Sequence, residues 1–370
     1  MSDYKVPLTT IVDIQPHSNA DRLSVATVYG FQVIIGKDQY NVGDLVVYVP
    51  IDSILPQSLE DKLFPSDSKI KLTKHRVRQI RIRGLASQGM IISPSEVDLL
   101  LEHPVRCLDL ETDLSKVLGI VKYEPPFVGA SQPSSKLSKL RSPSPHFHRY
   151  GGLDNFKWFP DLFKEGEQVV IQEKLHGTNA RIGNLPYVPV TLWEKLKHLL
   201  GLTPKYEIRY GSNNVDLTNK GYEGYYGKDI YGECFKRNNI ATKVEQDCIL
   251  YGEIIGPGIQ KGYDYGLKET QFVVFDICMI CTSGAVSWLP PLAVQAYCDT
   301  NGLLSVPVLY EGTYSIDIVN KEAKGPSVFC PTEPVREGCV IKSIKEDGTR
   351  KFLKMINEDY LDNKDNTDNH

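Results

Sequence analysis

The stretch Val169-Val170-Ile171-Gln172-Glu173-Lys174-Leu175-His176-Gly177-Thr178-Asn179-Ala180-Arg181 decides how the whole chain is read. It starts as a β-branched strand, ends on a lysine and turns at once through a glycine. Around the turn lie a glutamate, a histidine, a threonine, an asparagine and an arginine. A lysine at the lip of a sheet among such neighbours is a candidate nucleophile, provided desolvation or nearby cations leave its amine deprotonated. The plain alternative is a solvated surface charge. The bare pattern Lys-x-x-Gly does not decide, because it recurs at Lys116–Gly119 and Lys345–Gly348. Only Lys174 joins a β-rich run to a polar turn.

Further along, other polar residues interrupt apolar strands. Glu253 stands inside Cys248-Ile-Leu-Tyr-Gly-Glu-Ile-Ile, where a carboxylate is costly unless a cation pairs with it. Phe272-Val-Val-Phe275-Asp276-Ile continues the core, and Phe275 reads as a core ring or as the wall of a pocket. Val335-Arg336-Glu337-Gly338-Cys339-Val340-Ile341-Lys342 repeats the order acid, glycine, β-branched strand, and Arg350-Lys351-Phe352-Leu353-Lys354 brings two more lysines. Arg209 ends the strand Tyr206–Arg209 before a small-residue turn, where a generic arginine is the plain reading.

Hydrophobic content of 41% and charged content of 24% are ordinary for a globular chain. A formal net charge of −4 excludes a general polycation, so any nucleic-acid surface has to be local. Eight scattered cysteines do not form a disulfide framework, and the lone Cys278-x-x-Cys281 lacks the second pair that zinc would want. No apolar run reaches membrane-spanning length and no signal-peptide pattern opens the chain. An intracellular protein, cytoplasmic or nuclear, without membrane contact is expected.

Residues 6 to 55 read as short strands broken by Gly30, Gly36 and Gly43, the pattern of a small β-barrel such as an OB-fold. Lys69 to Arg83 contains Lys69, Lys71, Lys74, Arg76, Arg78, Arg81 and Arg83 and no acid, with Leu72, Val77, Ile80 and Ile82 alternating between them. An alternating strand would put the cations on one face and suit a phosphate backbone, with a merely solvated face as the alternative. Thr112 to Gly119 predicts a short helix capped by Thr112, and the Ser/Pro/Lys-rich 131–145 predicts a linker. Val190 to Leu200 predicts a helix without assigned chemistry, and 227–239 another.

Taken together, Glu173 to Asn179 resembles the nucleotide-binding motif of covalent lysyl nucleotidyltransferases, above all the RNA ligase 2-like ATP-dependent RNA ligases. Phe147-His-Arg-Tyr150-Gly-Gly-Leu-Asp-Asn155 is similar to the opening of their catalytic domain, and Pro16-His17-Ser18-Asn19-Ala20-Asp21-Arg22-Leu23 to a phrase of OB-type tRNA-binding modules. The resemblance implies an α+β chain: a small OB-like β-barrel over 1–112, then a nucleotidyltransferase (ATP-grasp-like ligase adenylation) domain over 113–358. Its linker lies around 130–146, and a frayed tail fills 359–370. It implies Lys174 as the nucleophile that forms lysyl-AMP from ATP. Glu173, His176, Gly177, Asn179, Arg209, Glu253, Phe275, Lys342, Lys351 and Lys354 surround the nucleotide. Glu253 and Glu337 hold Mg2+ or Mn2+ through water, and Lys74, Arg76, Arg78, Arg81 and Arg83 hold RNA. The last motif of the family is a Lys-x-Lys; here the lysines are three apart, which favours Lys354 over Lys351. The barrel stands first and only 16 residues follow Lys354, the order of RNA ligases that act as monomers on broken 3′-OH/5′-PO4 RNA ends in repair. The rivals are a DNA-sealing or capping-type nucleotidyltransferase and a non-catalytic OB-fold RNA-binding protein.

Overall fold

The computed structural model describes residues 4–65, 68, 71–98, 104–123, 144–218, 228–260, 262–281, 284–330, 335–343 and 350–362. Lys69, most of the linker, the Lys345 turn and the end of the tail lie outside them. The chain divides into two compact units that meet in sequence at Pro125 and Pro126.

The first unit is built from short antiparallel strands. Leu45–Val49 lies between Leu8–Thr10 and Met90–Ile92, while Asp13–Pro16, Leu23–Val28 and Phe31–Gly36 form a meander. Phe31–Gly36 alternates buried and half-buried side chains, as a strand with one face on a core must. Among the described residues these sheets do not close into a barrel. The expected boundary near residue 112 falls inside this unit. Leu114, Leu118 and Ile120 complete its core with Leu8, Val47 and Ile92, and the Val6 N–H donates to Asp113 at 2.9 Å. The expected helix is shorter than 112–119: it spans Ser115–Leu118, and the Thr112 hydroxyl donates to the Asp109 carbonyl instead of capping it.

The second unit carries two antiparallel sheets. One has the order Asp154–Asn155, Phe352–Ile356, Gly338–Ser343, Gln168–Lys174, Val308–Thr313, its first pair parallel. The other has the order Tyr206–Ser212, Thr178–Pro186, Cys248–Ile255, Gln271–Ile280, Val286–Trp288. Val169 and Ile171 join Val319 and Ala323 of the helix Ile316–Ala323 in one core. Ile182, Leu250 and Val274 pack against Phe235 and Val294 from the helices Ile230–Arg237 and Pro291–Asn301 in another. Lys174 ends the first sheet and Thr178 opens the second, so the polar turn read in the sequence is the hinge between the two sheets.

Candidate active site

Strand parity places the site. Val169 and Ile171 point into the core, so Gln172 and Lys174 point to the other face. Across the ladder Gln172 opposes Val340, and Val340 opposes Lys354. Opposed residues share a face, so Lys174, Gln172, Val340 and Lys354 form a floor. Asn179 and Glu253, opposite one another, and Phe275 come from the second sheet. Together with Tyr150, Gly151, Gly152, Leu153, Glu173, Leu175, Asn213, Val306 and Lys342 they line a cavity of about 280 Å³.

The turn that aims Lys174 tolerates little else. A Cβ on Gly177 would lie 2.5 Å from the Ile254 carbonyl oxygen, and one on Gly338, opposite Lys174, would lie 2.0 Å from that of Met355. Both glycines let backbones approach closely. Glu337, beside Gly338, accepts a hydrogen bond from Lys174 Nζ at 2.5 Å. His176 Nδ1 stands 3.9 Å from the other carboxylate oxygen, its ring edge-on to Tyr263 and Tyr360. Glu173 is buried and receives the Val328 and Phe329 N–H groups on Oε2 at 2.8 and 3.0 Å.

Acceptors without donors accumulate here. Glu173 Oε1, Asn179 Oδ1, Glu253 Oε2 and Glu337 Oε2 are sealed from solvent and meet no hydrogen-bond partner among the described residues, and neither do both amide atoms of Gln172. A buried polar group left so costs about 1–3 kcal/mol, which a ligand would recover. Burial pushes the Glu253 carboxyl up to about 8; Lys174 pulls it down and Glu337 pushes it further up. Two carboxylates facing one lysine fit a divalent cation bound largely through water. Among the described residues there is no cluster of three or more metal-ligating side chains, so substrate and water oxygens would have to complete the shell.

On the cavity's aromatic side, Lys342 Nζ donates to the Phe275 carbonyl at 2.6 Å and lies 3.6 Å from Asp276. Burial lowers its pKa, against the pull of Asp276. Asp276 also accepts from Tyr150 at 2.8 Å and from Arg350, whose guanidinium lies 3.9 Å from the centre of the Trp288 ring. Tyr150, Asp276 and Arg350 thus tie the opening segment, the Phe275 strand and the last hairpin together, a role the sequence reading missed. Gln172 was missed as well, although its spacing of two from Lys174 on a strand marks it as a neighbour on the same face.

Other residues expected around the nucleotide do not line the cavity: His176 and Gly177 stand at the turn beside it, and Arg209 and Lys351 lie elsewhere. Arg209 is buried in ion pairs with Glu207 at 2.8 Å and Asp216 at 2.6 Å and does not line the cavity. Lys351 has the wrong parity: it pairs with Glu167 at 3.0 Å, while Lys354 lies on the floor. In the first unit the basic run is not one alternating strand. Among its described residues the run forms one strand, Ile80–Ile82, paired with Leu85–Ser87. Arg76 is buried, bonded to Asp52 at 2.5 Å with its guanidinium 3.7 Å from the centre of the Tyr123 ring. Lys74 and Arg83 are exposed at turns with φ of 56° and 52°, and Arg78 and Arg81 are half-buried. Asn19 Nδ2 donates to the Arg83 carbonyl at 3.1 Å and His17 Nε2 lies 3.0 Å from that of Ile82, so the phrase Pro16–Leu23 braces the basic hairpin.

Solved structures of Naegleria gruberi RNA ligase share the fold. The form with PPi is 23% identical with a TM-score of 0.66 over 97% of this chain and 98% of that one. A mutant with ATP and Mn is 22% identical with a TM-score of 0.66 over 96% and 97%, and an apo mutant reaches 0.68 over 98% of both at 22% identity. A phenylalanine–tRNA ligase beta subunit from Trichormus variabilis is 35% identical over 118 residues, a match that takes in 30% of this chain and 13% of that protein. An OB-fold domain family matches residues 6–94. The RNA ligase family model matches residues 167–356, from the strand that carries Lys174 to the one that carries Lys354, and the chain belongs to the RNA ligase family.

Proposed function

We propose that this chain is an ATP-dependent RNA ligase that joins 3′-OH and 5′-PO4 RNA ends through lysyl-AMP and adenylylated RNA, acting as a monomer inside the cell in RNA repair. The observation that carries the reading is Lys174, held by Glu337 at 2.5 Å beside a cavity whose sealed acceptors lack donors among the described residues. One solved relative of the fold was obtained as a mutant with ATP and Mn and, separately, with PPi; ATP and PPi are the substrate and leaving group this reaction requires.

An amine paired to a carboxylate is held as ammonium and does not attack. The Lys174–Glu337 hydrogen bond holds Nζ in place, and its proton has to pass to solvent before attack so that the Glu337 carboxylate keeps its charge. Nζ then attacks the α-phosphorus of ATP; the P–N bond forms as the P–O bond to pyrophosphate breaks, and pyrophosphate leaves with the electron pair. Glu253 and Glu337 would hold Mg2+ or Mn2+, and the charge so placed offsets that growing on the α-phosphate. Lys354, on the floor beside Gln172, adds a cation to the same field. The Gln172 amide offers a donor and an acceptor to a base edge, Phe275 offers a ring face, and Asn179 Oδ1 offers an acceptor to a ribose hydroxyl.

In the second step an oxygen of the RNA 5′-phosphate attacks the same phosphorus, the P–N bond breaks, and Lys174 takes back a proton. In the third step the 3′-hydroxyl attacks the RNA phosphorus, its proton is lost to solvent, and AMP leaves. Lys74, Arg78, Arg81 and Arg83 of the first unit hold the RNA backbone by charge. Intact-mass measurement after incubation with ATP and Mn2+ tests the first step. A single AMP adduct is expected, absent from Lys174→Ala; no adduct, or one that survives the substitution, refutes the reading. Nicked duplexes with RNA or DNA on the 3′-OH side then separate RNA sealing from DNA sealing.

A further inference from the structure

The helix Leu192–Leu199 is mounted the wrong way round for a globular protein. It sits in an insertion closed at its base by the pair Pro186–Tyr206 and by the Tyr187 N–H donating to the Lys205 carbonyl at 2.9 Å. A capping box from Thr191 and Glu194 fixes its start, and the His198 ring stacks on Tyr187 and bonds Thr203 at 2.7 Å. An amphipathic helix ordinarily turns its apolar stripe to the core. Here Glu194 and Lys197 are the half-buried residues, and none of the helix is buried. Leu192 is 85% exposed, Leu199 83% and Trp193 64%.

At about 100° per residue, Leu192, Trp193, Leu196, Leu199 and Leu200 fall within one arc of about 120°. Lys195 and Lys197 flank the two edges of that arc, and Lys197 Nζ lies 5.4 Å from the centre of the Trp193 ring. The Glu194 carboxylate is turned back to the Val190 and Thr191 N–H groups. The rims are therefore basic. The apolar surface also runs past both helix ends, through exposed Val190 and Leu202. A single line of anchors at helical spacing suits a groove. A broad apolar face with tryptophan and lysines at its edges suits a flat, anionic surface, into which the leucines sink while the lysines reach headgroup phosphates.

We propose that this face docks on a lipid surface bearing anionic headgroups. A second copy of the chain fits less well, because a two-fold contact through this face would bring four lysines together. The test is co-sedimentation of the full chain with phosphatidylcholine vesicles with and without phosphatidylserine, alongside the Leu196→Glu/Leu199→Glu variant. Both leucines are exposed, so the variant keeps its fold, and its AMP adduct forms as in the parent. The parent is expected to bind phosphatidylserine vesicles, weakly and less in high salt, and the variant to lose about tenfold or more of that binding. Equal binding of parent and variant overturns the proposal, and so does no binding by either. Concentration-dependent self-association that the variant abolishes, without vesicle binding, also overturns it and assigns the face to a second copy. Adduct formation is read in the same samples, so failure of the lipid proposal leaves the ligase reading separately decided.

Discussion

The cavity at Lys174 and the basic segment before Arg83 look alike in sequence, each a dense run of charge beside β-branched residues, and the structure treats them oppositely. At Lys174 two sheets bring residues far apart in the chain together, and several acceptors stay without partners among the described residues. In the basic segment the charges are sorted one by one. Arg76 is buried against Asp52 and Tyr123, whereas Lys74 and Arg83 stand at exposed turns. Unsatisfied polar atoms mark where a ligand belongs; a run of one sign does not say which of its members are free to meet one.

Inside the cavity region two lysines three residues apart differ in the face they take. Lys354→Ala should slow adenylylation by about 10²-fold, the scale on which a positioned charge acts on a transition state. Lys351→Ala removes the pair with Glu167, whose carboxylate is nearly buried, so it should leave the rate unchanged and cost about 1–3 kcal/mol of stability. Single-turnover adduct formation measures both, and equal losses would mean that strand parity has misplaced them.

The next effect is on stability. With its pKa raised to about 8 by burial, the Glu253 carboxyl holds a proton in the folded chain that the unfolded chain releases at ordinary carboxylate pH. That contribution is complete below about pH 4.5 and is lost as pH rises towards 8. In chelator, the parent should therefore lose about 1–4 kcal/mol relative to Glu253→Gln between pH 5 and 8, and Mn2+ should narrow the gap. Denaturant melts across that range would expose an error as parallel curves.

The smallest effects belong to the basic segment and separate its members. Arg76→Ala should cost about 1–3 kcal/mol of stability and leave the salt dependence of RNA binding alone. Arg83→Ala should leave stability alone and reduce the slope of log affinity against log salt by roughly 0.7–0.9. Should both act on the slope, the buried position of Arg76 is not what governs its role.

Much of the site was legible because its signals are local. A strand ending on a lysine before a glycine, and a carboxylate inside an apolar run, both violate what an ordinary strand tolerates, and both residues lie at the cavity. Glu337 and Lys342 were marked in the same way by acid, glycine and β-branched strand, and they flank it. Arg209 had the same local look and went into structural ion pairs, with Glu207 on its own strand and Asp216 after the next turn. Gln172 carried only its spacing of two from Lys174, and nothing local to Tyr150 or Arg350 marks the Asp276 contact they share; those roles come from partners across sheets.

The sequence by itself determined where the polar turn falls, which strands are buried, and that a lysine and two glutamates lie where apolar side chains would be expected. Those follow from side-chain chemistry and period-two alternation, which each segment carries alone. Only the tertiary structure decided which cations are spent on neighbours, how far the first unit extends, and that one helix turns its leucines outward. Pairing and burial depend on what the rest of the chain brings alongside, and no single stretch holds that information.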